Sequence, residues 1–103
     1  MNFGLKDSDI QFIQALFVEE PTIEQAWVFG SRAKGSHQAG SDVDIALIGT
    51  ELTRQTVARI HAILEEESPI PYFFDVVHWN KMSNEKVKTE IQRTAQPLYQ
   101  RSF

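Results

Sequence analysis

Two short runs of apolar residues constrain the fold of this 103-residue chain more than any other feature of its sequence. Residues 26–29 are apolar without alternation, which is typical of a strand whose two faces are both buried. Residues 43–48 form a second apolar run, and Gly49 ends it. The two runs predict strands inside a sheet that other elements cover.

Helical patterns precede and follow the two predicted strands. Ser8 and Gln11 have the spacing of a capping box, and apolar residues then recur at helical intervals. Thr53 is a suitable N-cap for a second helix, and either Ser83 or Asn84 is suitable for a last one. Helices therefore alternate with strands along the chain.

The remaining segments predict the fold class. Residues 72–77 predict a third strand. After Pro97 no element is predicted that would bury the apolar residues Leu98, Tyr99 and Phe103. The pattern predicts one α/β (α+β) domain over residues 1–103, in which helices pack against a small mixed β-sheet. Four aromatic residues are assigned to its core, namely Trp27, Phe29, Phe73 and Phe74.

Composition excludes several classes of protein. The chain has no cysteine, so disulfides and thiolate metal sites are excluded. A net charge of -4 argues against a protein that holds nucleic acid by bulk electrostatics. Residues 1–10 lack the pattern of a signal peptide, and no apolar run is long enough to span a membrane. We therefore expect a cytoplasmic protein with no membrane association and no direct binding of nucleic acid.

The acidic residues at the start of the second predicted strand indicate a cation site. Asp42 and Asp44 are two positions apart, and such residues of a strand project from the same face. Two carboxylates held so close repel each other unless a cation neutralises their charge. Oxygen ligands favour a hard ion such as Mg²⁺, which shares substrate phosphates. With Asp75 in the third predicted strand, three acids on neighbouring strands form the ligand set of a two-metal phosphoryl-transfer site.

A Gly-Ser turn supplies the other half of this chemistry. Gly30 and Ser31 directly follow the first predicted strand, and ten residues separate them from Asp42. Glycine lets the backbone approach a phosphate, and the serine hydroxyl and amide N–H groups donate hydrogen bonds to its oxygens. Arg32 and Lys34 would add positive charge. The combination predicts a nucleoside triphosphate held between the turn and a carboxylate-bound metal pair.

The motif as a whole resembles that of a known family. Gly30 and Ser31, followed by ten residues and an Asp-x-Asp ending at Asp44, resemble the signature of the polymerase-β-type nucleotidyltransferase superfamily. Asp75, within Phe-Asp-Val-Val, resembles the third carboxylate of that family. The short length and the run Gly-Ser-Arg-Ala-Lys-Gly resemble the minimal nucleotidyltransferases of prokaryotes, which act as antitoxins of HEPN-domain toxins.

This resemblance implies a nucleotidyltransferase fold and a specific reaction. AMP would pass from ATP to a hydroxyl group with the help of two Mg²⁺ ions. The expected acceptor is a tyrosine of a HEPN-domain partner, which would form a hetero-oligomer with the chain and lose its RNase activity on modification. The implied catalytic and metal-binding residues are Asp42, Asp44 and Asp75. The implied nucleotide-binding residues are Gly30, Ser31 and Arg32.

Other interpretations stay open at this point. The two aspartates at the start of the strand could merely face solvent, and Asp75 could be a buried acid paired with a cation. A non-catalytic antitoxin would neutralise its partner by occlusion, and a small-molecule nucleotidyltransferase would use the same site on another acceptor. None of the three histidines has metal-ligand spacing with another, and His61 is assigned a structural role.

Overall fold

A four-stranded mixed sheet organises the computed structural model, which describes residues 2–102. The strands are β1 (Gln25–Phe29), β2 (Val43–Ile48), β3 (Phe74–His78) and β4 (Gln96–Gln100). They lie in the order β3-β2-β1-β4, so that β3 and β4 form the two edges. β2 and β3 run parallel, whereas β1 runs antiparallel to both β2 and β4. The predicted small mixed sheet is confirmed.

Within residues 2–102, the structure has four helices and one short turn besides the strands, and all but the first helix lie between strands. They are α1 (Asp7–Val18), α2 (Gly30–Lys34), α3 (Arg54–Glu66), a 3₁₀ turn (Trp79–Lys81) and α4 (Glu85–Thr94). The helix α3 joins β2 to β3. These two strands are parallel, so they need a long crossover connection rather than a hairpin turn. None of the helices in this range has both the length and the apolar content needed to cross a membrane.

Side chains that accept hydrogen bonds from free backbone N–H groups define where α3 and α4 begin. The hydroxyl oxygen of Thr53 accepts a hydrogen bond from the N–H of Thr56 at 3.1 Å. The side-chain oxygen of Asn84 accepts one from the N–H of Val87 at 3.2 Å. The predicted N-cap Thr53 is confirmed, and of the two candidates for α4 it is Asn84 that caps the helix.

The first helix begins earlier than the predicted capping box requires. The prediction paired Ser8 with Gln11, but α1 begins at Asp7. The carboxylate of Asp9 accepts a hydrogen bond from the backbone N–H of Lys6 at 3.4 Å. The predicted box was wrong because the N-cap is Lys6, so that Asp9 at the third helical position accepts the hydrogen bond from the N-cap N–H and also complements the helix dipole.

The two faces of the sheet have different roles. One face forms the hydrophobic core, with buried side chains from Ala26, Val28, Ile45 and Leu47. These residues pack with buried residues of α1 and α3, namely Ile13, Phe17, Ile60 and Leu64. The opposite face carries Phe29 and Asp44, which are partners across β1 and β2. We call this opposite face the site face, because strand alternation places the acidic residues there.

The C-terminal strand β4 occupies a segment for which the sequence predicts no element. It pairs with β1, and Leu98 is buried in the core. The ring of Tyr99 meets that of Phe17 edge to face, with centroids 5.8 Å apart. The prediction was wrong because Pro97 indicates a break, yet proline is tolerated on an edge strand, and here the pairing shifts register beside it. Phe103 lies outside the described residues.

Candidate active site

The strand register brings the three predicted acidic residues together. Asp44 lies opposite Asp75 in the parallel pairing of β2 with β3. Asp42 comes two residues before Asp44 and therefore projects toward the same face. Asp42 and Asp75 are exposed, whereas Asp44 is half-buried. One edge of the site face thus carries three carboxylates from two neighbouring strands.

The charges of these carboxylates oppose one another. Burial raises the pKa of the Asp44 carboxyl above its usual range, and the charges of Asp75 and Asp42 raise it further. The guanidinium of Arg32 acts in the opposite direction and lowers the pKa of Asp44. Because burial and repulsion together prevail, the group favours a nearby positive charge. A cation bound at this position would supply that charge.

The chemistry of the donor set fits a hard divalent cation such as Mg²⁺, which prefers carboxylate oxygens. Among residues 2–102, however, no three acidic or histidine side chains are already gathered closely enough to hold one ion. The side chains of Asp42 and Asp75 are exposed and therefore free to change rotamer. The backbone accordingly places the ligands on one edge, and metal binding would require their side chains to converge.

The backbone at Gly30 comes very close to Asp44. Its φ angle is +73°, a left-handed conformation that favours glycine. A Cβ atom at this position would collide with the carboxylate oxygen Oδ2 of Asp44. Gly30 begins α2 directly after β1, and Ser31 follows it in the helix. The predicted Gly-Ser turn therefore lies directly beside the acidic residues.

Arg32 lies inside the protein rather than on its surface. Its side chain is only 2% exposed. Nε and Nη2 donate hydrogen bonds to the carbonyl of Ser41 at 3.1 and 2.7 Å, and Nη1 donates one to the carbonyl of Phe3 at 2.8 Å. The guanidinium also lies 4.4 Å from the centroid of the Tyr72 ring. These contacts hold Ser41, the residue before Asp42, in place. The contact of Arg32 with phosphate stays a prediction.

An apolar pocket adjoins the Gly-Ser turn on the side away from β3. It has a volume of about 290 Å³ and lies between α2 and α4. Its apolar lining includes Phe29, Val87 and Ile91, and its charged lining includes Lys34, Lys86 and Glu90. The sequence does not predict the contribution of α4 to this pocket, because periodicity predicts a helix without indicating which strand end it packs against.

Of the aromatic residues assigned to the core, Phe73 is a clear exception. Phe74 is 4% exposed, and Trp27 and Phe29 are half-buried on the site face. Phe73 is 72% exposed and comes directly before β3. The assignment of Phe73 to the core was wrong because β3 begins at Phe74, and alternation then turns Phe73 away from the core.

Two histidines have structural partners. Nε2 of His61 lies 2.8 Å from the carbonyl oxygen of Phe74, which supports the structural role assigned to it. Nε2 of His78 lies 2.9 Å from the carbonyl oxygen of Gly49. The first contact joins α3 to the start of β3, and the second joins the end of β3 to the residue that follows β2.

The fold is similar to that of solved toxin–antitoxin structures. A chain of a toxin–antitoxin complex with AMP-PNP has a TM-score of 0.73 and 19% identity, covering 95% of this chain and 76% of that chain. A chain of a toxin–antitoxin complex named MntA-HepT has a TM-score of 0.62 and 15% identity, covering 93% of this chain and 74% of that one. No curated protein sequence matches the chain.

A third similar structure contains a modified partner. It is the complex of an MNT antitoxin with a tri-AMPylated HEPN toxin from Shewanella oneidensis, with a TM-score of 0.62, 15% identity, and coverage of 89% of this chain and 73% of that chain. The family model described as polymerase beta, nucleotidyltransferase matches residues 11–103, which include the Gly-Ser turn and all three acidic residues. The chain therefore belongs to the polymerase beta nucleotidyltransferase family.

Proposed function

We propose that the protein transfers AMP from ATP to a tyrosine hydroxyl of a HEPN-domain partner in an Mg²⁺-dependent reaction, and that this modification silences the partner in the cytoplasm. The observation that carries the proposal is the placement of Asp44 opposite Asp75 with Gly30 against its carboxylate. Similar structures that contain AMP-PNP or an AMPylated HEPN toxin support the choice of donor and partner.

Each part of the site has a separate task in this reaction. The backbone at Gly30 and the hydroxyl of Ser31 bind the β- and γ-phosphates. The pocket beside them, lined by Phe29 and Ile91, receives the nucleoside. Asp42, Asp44 and Asp75 would hold Mg²⁺, which neutralises phosphate charge and lowers the pKa of the acceptor hydroxyl. Arg32 holds the backbone before Asp42 in place.

The transfer itself needs little beyond positioning and charge stabilisation. The acceptor oxygen forms a bond to the α-phosphorus while the bond from that phosphorus to the bridging oxygen breaks. Pyrophosphate leaves with the electron pair, and the hydroxyl proton passes to the carboxylate of Asp75 and then to water. The products are an AMP ester of the acceptor, pyrophosphate and one proton.

Intact-mass spectrometry tests the proposal directly. The protein and whatever partner co-purifies with it are incubated with ATP and Mg²⁺. We expect the partner to gain the mass of one or more AMP units, and the Asp44→Ala variant to produce no gain. The matched control is Asp7→Ala, which removes an exposed acid from the first turn of α1 and leaves the transfer intact.

The same experiment detects the alternative in which the chain acts by occlusion. A partner that stays bound but gains no mass with any of the four nucleotides would reject the transfer. The three acidic residues would then be dispensable, and Asp44→Ala would neutralise the partner as well as the natural chain does.

A further inference from the structure

Phe73 is an exposed aromatic residue directly before the strand that carries Asp75. Its side chain is 72% exposed, whereas that of the next residue, Phe74, is 4% exposed. The N–H of Val43 donates a hydrogen bond to the carbonyl of Phe73 at 2.9 Å, so the ladder between β2 and β3 extends to Phe73. Because side chains alternate along a strand, Phe73 projects on the same side as Asp75.

Phe73 and Gly30 lie on opposite sides of Asp44, with Phe73 on the same side as Asp75. The strands lie in the order β3-β2-β1, and Asp44 is on the middle strand. Phe73 lies beside β3, and Gly30 lies at the end of β1 against the Asp44 carboxylate. In phosphoryl transfer the attacking oxygen and the leaving group are roughly in line across the phosphorus. With the leaving pyrophosphate at Gly30, the acceptor hydroxyl therefore approaches from the β3 side, where Phe73 lies.

We propose that the ring of Phe73 packs against the aromatic ring that carries the acceptor hydroxyl, and that it selects a phenol over an aliphatic alcohol. This inference rests on the proposed AMP transfer. Offset or edge-to-face contact between two rings is favourable beyond the apolar area that it buries. The hydroxyl of serine is attached to no ring and would gain nothing from Phe73.

The nucleobase is a poorer occupant for this position than the acceptor. The pocket that fits a nucleoside lies on the Gly30 side and already offers the apolar surface of Phe29 and Ile91. Phe73 lies on the β3 side of Asp44, away from that pocket. The two aromatic surfaces thus serve different substrates.

A binding measurement tests the contact without requiring transfer. The protein is saturated with AMP-PNP and Mg²⁺ and titrated with the peptide acetyl-Lys-Tyr-Lys-amide or with its serine counterpart. The aromatic NMR signals of Phe73 are identified by their loss in the Phe73→Leu variant. We expect these signals to shift with the tyrosine peptide only. Equal shifts with both peptides, or no shift with either, would reject the contact.

Transfer kinetics with the co-purified partner give a second readout. For Phe73→Leu we expect the KM for the acceptor to rise about fivefold, with kcat and the KM for ATP unchanged. Phe73→Trp should restore the KM, because it restores a ring. The matched control is Val18→Ala, which alters another exposed apolar side chain near the β4 edge of the sheet. An unchanged acceptor KM in Phe73→Leu would overturn the inference.

The outcomes separate this inference from the proposed function. If no AMP is transferred but the Phe73 signals shift with the tyrosine peptide, the reaction is rejected and the aromatic contact stands. If AMP is transferred and Phe73→Leu matches the natural chain in every constant, the reaction stands and the contact is rejected.

Discussion

Because Gly30 has no side chain, the Gly-Ser turn can lie directly against the carboxylate of Asp44. The φ angle of Gly30, +73°, is left-handed, and a Cβ atom there would collide with Asp44. Gly35 has a similar φ angle of +77°, but apart from its chain neighbours no residue has an atom within 4 Å of the position of its Cβ. The pair therefore separates backbone strain, which both positions share, from the collision with Asp44, which belongs to Gly30 alone.

We predict different outcomes for alanine at these two glycines. Gly35→Ala should lose about 1 kcal/mol of unfolding free energy, the usual cost of a left-handed residue with a side chain, and should retain AMP transfer. Gly30→Ala should lose more stability and about a hundredfold in transfer rate, because Asp44 must move. Urea denaturation and the transfer assay check both. Equal losses in the two variants would show that the contact with Asp44 is unimportant.

Phe73 shows where interpretation of single residues from the sequence fails. Its neighbours in the sequence are apolar, and a core position is the ordinary prediction for such a ring. Exposure depends on the register in which β3 pairs with β2, and a shift of one residue exchanges the two faces of a strand. The proximity of the acidic residues could be predicted because their spacing places them on one face of neighbouring strands, whereas no spacing indicates the orientation of a lone aromatic residue.

Among the elements, α2 and the loop that follows it depend on one buried side chain. Arg32 connects the carbonyls of Phe3 and Ser41 and packs on the ring of Tyr72. It therefore joins the N-terminal segment, the loop before Asp42 and the segment before β3. A planar guanidinium with several fixed donors can serve these partners together, and an ammonium group cannot.

We predict that Arg32→Lys lowers the unfolding free energy by about 2 kcal/mol, because buried carbonyl groups lose their donors. The matched control is Arg93→Lys, whose side chain is 67% exposed in a pair with Glu90 and whose effect should stay within about 0.5 kcal/mol. Urea denaturation of both variants measures the difference. Arg32→Lys as stable as Arg93→Lys would contradict the positioning role of Arg32.

The elements differ in how far the sequence predicts them. The bounds of β2 and the cap of α3 at Thr53 were predicted correctly, because local patterns determine them. The strand β4 was missed because its stability comes from pairing with β1, which is distant in sequence. Pro97 also made that segment resemble a break.

For the molecule as a whole, the charge of Asp44 in the candidate site lowers the stability of the folded state when no cation is bound. The pKa of Asp44 is raised in the folded state, so ionisation of this carboxyl group weakens folding. This penalty is absent well below the usual aspartate pKa of about 3.9 and is complete once the pH exceeds the raised value. The fold therefore retains a charge that it would be more stable without.

We predict that Asp44→Asn raises the Tm of the metal-free protein at pH 7 by a few degrees and abolishes AMP transfer. The gain should vanish below about pH 3, where the natural carboxyl is also neutral. Mg²⁺ should raise the Tm of the natural chain and not that of the variant. Asp42→Asn, at an exposed position, is the control and should change the Tm less. A natural chain as stable as the Asp44→Asn variant at pH 7 would contradict this account.

The pairing of Asp44 with Asp75 also has a consequence for how the protein tolerates sequence change. The hydrogen bonds that align these two carboxylates also align Val43 with Phe74 and Ile45 with Val76 in the interior. A slip of one residue would turn Asp75 inward and Phe74 toward water, so the interior and the site would fail together. Selection for a folded molecule is therefore at the same time selection for an aligned pair of acids, and a separate population of folded but misaligned molecules should not arise.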